Sequence, residues 1–248
     1  MNTCIVLNWN TTNLLIGMYE SAVSLASKEL QFIIVDNGSK ESEVKRLDEY
    51  FKDKKHVKIK KLPQNIGFSA GNNVGLEEAE DTWDLVFFIN SDIVIQEKDW
   101  DKKFEEVFKI DGTGIVGNAY HPLQWSKDAR FQIQPLVDHP IFSESVQGAF
   151  FAVPYKILKE QKEIDGHFFD EEFKFAHYEE TDLQFRIMKR YSCIWFPCKH
   201  EHLHNCSSTK TNGYNLCKDI KNINEFKANS EKNRQRLLMK HKEFFDRK

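Results

Sequence analysis

Residues 65–75 read N-I-G-F-S-A-G-N-N-V-G, three glycines spaced four apart at the head of a helical pattern. Glycine costs a helix interior about 0.8–1 kcal/mol relative to alanine, so Gly67, Gly71 and Gly75 call for a compensating contact. On a helix these positions fall on one face. Bare of side chains, that face admits another backbone or a flat ligand, so tight packing on a sheet and close approach to a ligand both fit.

Outward from this helix, the first part of the chain alternates short β-rich runs with helical patterns. The runs are Cys4–Leu7, Phe32–Val35, Val57–Leu62 and Leu85–Ile89, with helices expected near 12–27, 40–53 and 67–80. Such alternation is the mark of an α/β fold with a largely parallel sheet flanked by helices. Each run ends in polar residues: Asn8 and Asn10, Asp36-Asn37-Gly38-Ser39, Asn65, and Asn90-Ser91-Asp92. In open α/β sheets the carboxyl edge of the strands is where ligands bind. Beyond Asp92 the alternation loosens, with helices expected near 97–109 and 179–191 and proline-punctuated sequence over 119–147.

At 248 residues, 40% hydrophobic and 29% charged, the chain suits one sizeable globular domain. A formal charge of -3 leaves no basic footprint for nucleic acid. The opening M-N-T-C-I-V-L-N-W-N lacks the basic and apolar regions of a secretion signal and reads as a first strand. Apolar runs stop far short of the roughly 20 residues that span a bilayer. Five cysteines, an odd number, point to free thiols in a reducing compartment, so a cytoplasmic location is expected.

Two common nucleotide motifs are absent: there is no G-x-x-x-x-G-K-[ST], and the glycines of 65–75 do not make G-x-G-x-x-G. Asp36 closes an apolar run and opens a turn, where its carboxylate suits either a base or ribose hydrogen bond or an Asx turn. Asp92, after V-F-F-I-N-S, sits at the same sheet edge, and a carboxylate there suits a hard divalent cation or, again, a turn.

In order, V-D-N-G-S at 35–39, N-I-G-F-S-A-G-N-N-V-G at 65–75, I-N-S-D at 89–92, G-A-F-F at 148–151, F-D-E-E-F at 169–173, Y-E-E-T-D-L-Q-F-R at 178–186 and the later His204 and Ser207 resemble the motif set of family 2 glycosyltransferases. The resemblance covers about residues 4–208 and looks closest to the bacterial rhamnosyltransferase-like branch. It implies a GT-A fold binding a nucleotide-diphospho-sugar at the strand ends. Asn8, Asp36, Asn65, Gly67, Gly71, Asn72, Ser91 and Asp92 would form the donor pocket. Asn90-Ser91-Asp92 would stand where the family has D-x-D, with Asp92 holding Mg²⁺ or Mn²⁺. The family's E-D-x-D stretch falls on Glu179, Glu180 and Asp182, which makes Glu180 the expected catalytic base. Asp182 is alternatively structural, paired with Arg186 one turn on.

In C-K-H-E-H-L-H-N-C, residues 198–206, Cys and His alternate and would share one face of a strand. A straight strand spreads such ligands about 6–7 Å per pair, which disfavours a closed zinc site. The resemblance instead implies one histidine followed by a serine as a second ligand of the donor metal; spacing to Ser207 favours His204, with His202 next. Residues 225–248 hold eight Lys/Arg against four Asp/Glu, with Leu237, Leu238, Phe244 and Phe245 at helical spacing. Docking of this stripe on the domain is expected; the alternative is peripheral contact with the inner membrane.

The expectation is therefore a GT-A domain over 1–214, with a nucleotide-sugar-binding half at 1–92 and an acceptor-binding half at 93–214, then a helical extension at 215–248. It would be an inverting, metal-dependent glycosyltransferase acting on a glycan or lipid-linked acceptor in bacterial surface polysaccharide synthesis. The rivals are a sugar-1-phosphate nucleotidyltransferase, whose glycine- and basic-rich phosphate loop is missing from I-V-L-N-W-N-T-T-N, and a non-catalytic sugar-binding module, which needs no acid cluster at 179–182.

Overall fold

The structure is a computed structural model and describes residues 1–78, 80, 83–118, 138–175, 177–203, 208–213, 215–216 and 220–246. The first half runs β1 (Thr3–Asn8), α1 (Thr12–Leu25), β2 (Gln31–Asp36), α2 (Glu41–Phe51), β3 (Val57–Lys61), α3 (Phe68–Glu77), β4 (Leu85–Ile89) and β5 (Ile93–Ile95). Then come α4 (Trp100–Val107), β6 (Thr113–Gly117), β7 (Ile141–Phe142), β8 (Phe150–Pro154), α5 (Tyr155–Asp165), α6 (Glu179–Met188), β9 (Ser192–Trp195) and β10 (His200–His202). The chain closes with α7 (Ser208–Thr211), α8 (Ile223–Lys240) and α9 (Lys242–Phe245).

Among the described residues the main sheet has eight strands in the order β3-β2-β1-β4-β8-β6-β9-β7. Strands β3, β2, β1 and β4 are parallel, β8 runs antiparallel to both β4 and β6, and β6 and β9 are again parallel. The inner strands T-C-I-V-L-N, Q-F-I-I-V-D and L-V-F-F-I are buried almost throughout, as strands covered on both faces must be. The edge strand V-K-I-K-K alternates and carries lysines, which discourage further strand addition.

Alternate residues feed two cores. Cys4, Val6, Phe32, Ile34 and Phe87 pack with Leu15 and Met18 of α1, Leu47 of α2 and Trp100 and Phe104 of α4. On the other face, Ile5, Ile33, Val35, Val86 and Phe88 meet Leu76 of α3, Leu158 of α5 and Leu183 and Ile187 of α6. Helices thus lie on both faces, and β1 separates β2 from β4 at the point where the strand order reverses. In open α/β sheets such a switch point, at the carboxyl ends of the strands, is where ligands bind.

The three glycines divide their work. A Cβ on Gly75 would stand 2.7 Å from Ile5 Cγ2, and one on Gly71 would stand 3.1 Å from Leu7, so these two let α3 lie directly on β1. Gly67 has a positive φ of 93°, which begins the helix from a left-handed turn. The sheet, then, is what Gly71 and Gly75 approach.

The small second sheet pairs β10 antiparallel with β5, setting His202 opposite Ile93 and His200 opposite Ile95. Cys198 does not continue that face: it is buried in the first core, and burial pushes its thiol well above the ordinary value. Cys4 and Cys193 are likewise buried free thiols. Cys206 and Cys217 lie outside the described residues.

The C-terminal helices dock on α6. Leu237 and Phe244 are buried with Phe173 and Phe185, and the rings of Phe185 and Phe244 stack at 4.6 Å. No helix among the described residues is long and apolar enough to cross a membrane.

Candidate active site

The carboxyl ends of β1 and β2 are tied into one polar network. Asn8 Nδ2 donates to Asp36 Oδ1 at 2.9 Å, and the other oxygen of Asp36 accepts the Ser39 N–H at 3.1 Å. Asp36 is buried, so this carboxylate is held in one orientation and also serves as the turn residue anticipated for it. Thr11 Oγ1 donates to Asn8 Oδ1 and lies 3.2 Å from Ser91 Oγ, which links the β1 end to the loop after β4.

Asn37, next to Asp36, fixes the glycine turn. Its Oδ1 accepts the Ile66 N–H at 2.9 Å and its Nδ2 donates to the Gly67 carbonyl at 3.1 Å. Asn65 Oδ1 accepts the Gly67 N–H at 3.0 Å, while Asn72, buried, donates to the Phe68 carbonyl within its own helix. Asn65 and Gly67 therefore shape the turn itself, and Asn72 stabilises the first turn of α3.

Asp92 is 3% exposed, and its Oδ2 has no hydrogen-bond partner among the described residues. Its Oδ1 lies 3.4 Å from His202 Nε2, and its carbonyl accepts the Leu203 N–H at 2.9 Å. The β5–β10 pairing thus brings a carboxylate and an imidazole to one point. His204 lies outside the described residues. A divalent cation fits this pair, because a buried carboxylate oxygen without a donor is costly unless something positive meets it. Carboxylate oxygen and imidazole nitrogen also suit Mg²⁺ or Mn²⁺. No group of three Cys, His, Asp or Glu side chains able to hold a metal forms among the described residues. Mg²⁺ is commonly held by one or two carboxylates with substrate phosphates and water completing its shell.

The antiparallel pairing of β4 with β8 lays G-A-F-F beside I-N-S-D: Ile89 faces Phe150, and the Asn90 N–H donates to the Ala149 carbonyl at 2.8 Å. Just before it, Gly148 underlies Glu180. A Cβ on Gly148 would fall 2.6 Å from Glu180 Cγ and 2.7 Å from its Cδ, so only glycine leaves room for that side chain. Burial pushes the Glu180 carboxyl above the ordinary glutamate value, against a smaller downward pull from the backbone N–H groups of Glu180 and Gly148. One turn along the same face, Gln184 zips onto the same segment, accepting the Val146 N–H at 2.9 Å and donating to its carbonyl at 2.8 Å.

Asp182 has a different task. Two residues from Glu180 it points about 200° around the helix, and it is wholly buried. Arg186 Nε, Lys240 Nζ and His241 Nε2 each lie 2.8 Å from its oxygens. Burial alone would raise this carboxyl, but the His241, Arg186 and Lys240 contacts outweigh it and hold the group far below the ordinary value. Glu179, at the helix start, is buried as well.

Sequence reasoning missed Asn37, Thr11, Ser39, Gly148, Gln184 and His241. Four of these carried a readable signal: Asn37 and Ser39 sit inside V-D-N-G-S, Gly148 heads G-A-F-F, and Gln184 lies four residues beyond Glu180, hence on its face.

The chain belongs to glycosyl transferase family 2, whose profile matches residues 3–178. No curated protein matches it in sequence. Among solved structures it is similar to TarS from S. aureus, with a TM-score of 0.57 and 18% identity over 77% of this chain and 57% of that one. It is similar to the mannosyltransferase PcManGT from Pyrobaculum calidifontis in complex with GDP-Man and Mn²⁺, with a TM-score of 0.57 and 17% identity over 79% and 54%. GalNAc-T7 with UDP, GalNAc and Mn²⁺ gives a TM-score of 0.67 and 14% identity over 82% and 43%. The chain thus spans little more than half the length of these proteins, or less. At such identities the likeness speaks to the GT-A fold.

Proposed function

We propose that this protein is an inverting, metal-dependent glycosyltransferase that moves a hexosyl or deoxyhexosyl unit from a nucleotide-diphospho-sugar to an acceptor hydroxyl. The observation that carries the reading is Glu180, pressed against Gly148 beside the I-N-S-D turn. Its raised carboxyl suits a general base, which works best with a pKa near the operating pH. TarS has been crystallised with UDP-GlcNAc, PcManGT with GDP-Man and Mn²⁺, and GalNAc-T7 with UDP and Mn²⁺, which supports a nucleotide-sugar donor and a divalent cation here.

In the proposed reaction Glu180 takes the proton of the acceptor hydroxyl as that oxygen attacks the anomeric carbon. The bond from that carbon to the diphosphate breaks, its electron pair stays with the diphosphate, and one displacement inverts the configuration. Asp36, oriented by Asn8 and Ser39, would receive the base or ribose, and the turn at 65–67 would border the nucleotide. Asp92 with His202, or with His204, would hold Mg²⁺ or Mn²⁺. Bound there, the cation would neutralise charge growing on the departing diphosphate. A glycan or lipid-linked acceptor, a role in bacterial surface polysaccharide synthesis, a rhamnosyltransferase-like specificity and a cytoplasmic site of action complete the proposal.

The test is a panel of UDP-, GDP- and dTDP-sugars with Mn²⁺ or Mg²⁺, followed by nucleoside diphosphate release with and without saccharide acceptors. Release from at least one donor supports the reading. Binding of donors without any release would favour a sugar-nucleotide-binding module.

A further inference from the structure

The face of α6 that carries Glu180 is set from behind by a helix outside the segment that the family profile matches. Immediately before α6, Phe175, His177 and Tyr178 have φ of 38°, 70° and 77°. Side chains rarely adopt this left-handed region, and surrounding contacts must over-determine it. Those contacts come from one face of α8. Asn229 donates to the carbonyls of Lys174 and Phe175, and Asn233 donates to those of Lys174 and His177. Ser230 Oγ lies 2.9 Å from His177 Nδ1. Further along, Arg236 donates to the Glu172 carbonyl, and Lys240 reaches Asp170 and Asp182. His241 closes the series on Asp182.

Two amide side chains four residues apart therefore cap a strained loop that ends two residues before Glu180. A cation and an imidazole hold the opposite face of the same helix. Asn233 and His241 are buried, so both act within the packed protein.

We propose that Asn233 and His241 are positioning residues for the general base: Asn233 holds the left-handed entry to α6, and His241 fixes its far side through Asp182, so that Glu180 stays over Gly148. The inference rests on the proposed role of Glu180. Without Asn233 the His177 carbonyl loses that donor and the Lys174 carbonyl keeps only Asn229 of the pair, so the loop relaxes toward ordinary φ values and the first turn of α6 rotates. Without His241 the Asp182 anchor loosens. Either change moves the Glu180 carboxylate without touching Asp36, Asn37 or Asp92, so turnover suffers and donor binding does not.

The experiment measures kcat and KM for nucleoside diphosphate release from the best donor of the sugar-nucleotide panel, with the dissociation constant of UDP and Mn²⁺ from calorimetry. Asn233→Ala and His241→Ala should each lower kcat by about 10- to 100-fold, the scale on which misplacing a catalytic group by an ångström acts. KM and the UDP dissociation constant should stay within about twofold, and His241→Gln, which keeps an N–H donor toward Asp182, should recover most of the rate. In a Glu180→Gln background the same alanine changes should alter the residual rate by less than about twofold, since there is no base left to position. If Asn233→Ala does not fold, the half-buried Asn229→Ala tests the same loop with the same expectation. Wild-type kcat in the alanine variants, an equal loss in the Glu180→Gln background, or failure of His241→Gln to recover the rate would overturn the inference. A fully active Glu180→Gln would instead remove the base assignment on which it stands.

Discussion

His202 Nε2 stands 3.4 Å from Asp92 Oδ1, a contact made by the antiparallel pairing of two three-residue strands that lie over a hundred residues apart. The second oxygen of Asp92 is buried and has no hydrogen-bond partner among the described residues. An anionic oxygen so placed invites a cation, and the following expectations start from it.

Nucleoside diphosphate release should require Mg²⁺ or Mn²⁺ and stop in excess chelator. Asp92→Asn should abolish Mn²⁺-dependent tightening of UDP binding in calorimetry, and His202→Ala should weaken it. Full turnover in chelator would exclude the cation. A silent His202→Ala beside a damaging His204→Ala would move the second ligand to His204.

Asp36→Asn should weaken UDP or GDP binding by roughly 10- to 100-fold, because a hydrogen bond to a charged group contributes about 1.5–3 kcal/mol. Since Asp36 also joins Asn8 and Ser39, thermal unfolding must be followed alongside. An unchanged dissociation constant with a lowered Tm would leave Asp36 a turn residue only.

Gly148→Ala should lower transfer while sparing donor binding, because its methyl would occupy space that Glu180 fills. The raised carboxyl of Glu180 should also set the acid limb of kcat/KM above the ordinary glutamate value of about 4.3. A folded pKa above the unfolded one contributes stability at low pH that is lost as pH rises through the folded value. Glu180→Gln should therefore be more stable than the wild type above that pH in urea titrations. An acid limb at the ordinary value, or a wild type no less stable than Glu180→Gln at neutral pH, would count against the partly buried base.

Asp182 works in the opposite sense. Its depressed carboxyl contributes stability above the unfolded value of about 3.9, lost as pH falls through the folded one. Asp182→Asn leaves Arg186, Lys240 and His241 facing a neutral group and should cost about 3–5 kcal/mol at pH 7, the usual result of breaking a buried ion pair. The cost should shrink below pH 4. A change under 1 kcal/mol at neutral pH would mean that the network is not what anchors α6.

Much of the first half was legible because its strands are apolar runs bounded by turn residues. Val57–Leu62 and Leu85–Ile89 match β3 and β4 to within a residue. The helical face of Gly71 and Gly75 was readable too, but not which surface would meet it, since that depends on Leu7 and Ile5, far off in sequence on β1. His202 and Asp92 meet only through the β5–β10 register, which no local spacing encodes. The expected pairing of Asp182 with Arg186 is local, one helical turn, and it is present. Its completion by Lys240 and His241 is a tertiary contact and was invisible. The 119–147 stretch carried no decodable motif, and 119–137 lie outside the described residues.

The central claim is that Glu180 is the general base, and the most direct measurement is the turnover of Glu180→Gln together with its affinity for UDP and Mn²⁺. The account predicts a fall in kcat of roughly 10²–10⁴-fold with the dissociation constant unchanged. A Glu180→Gln enzyme that turns over at near-normal rate would contradict it.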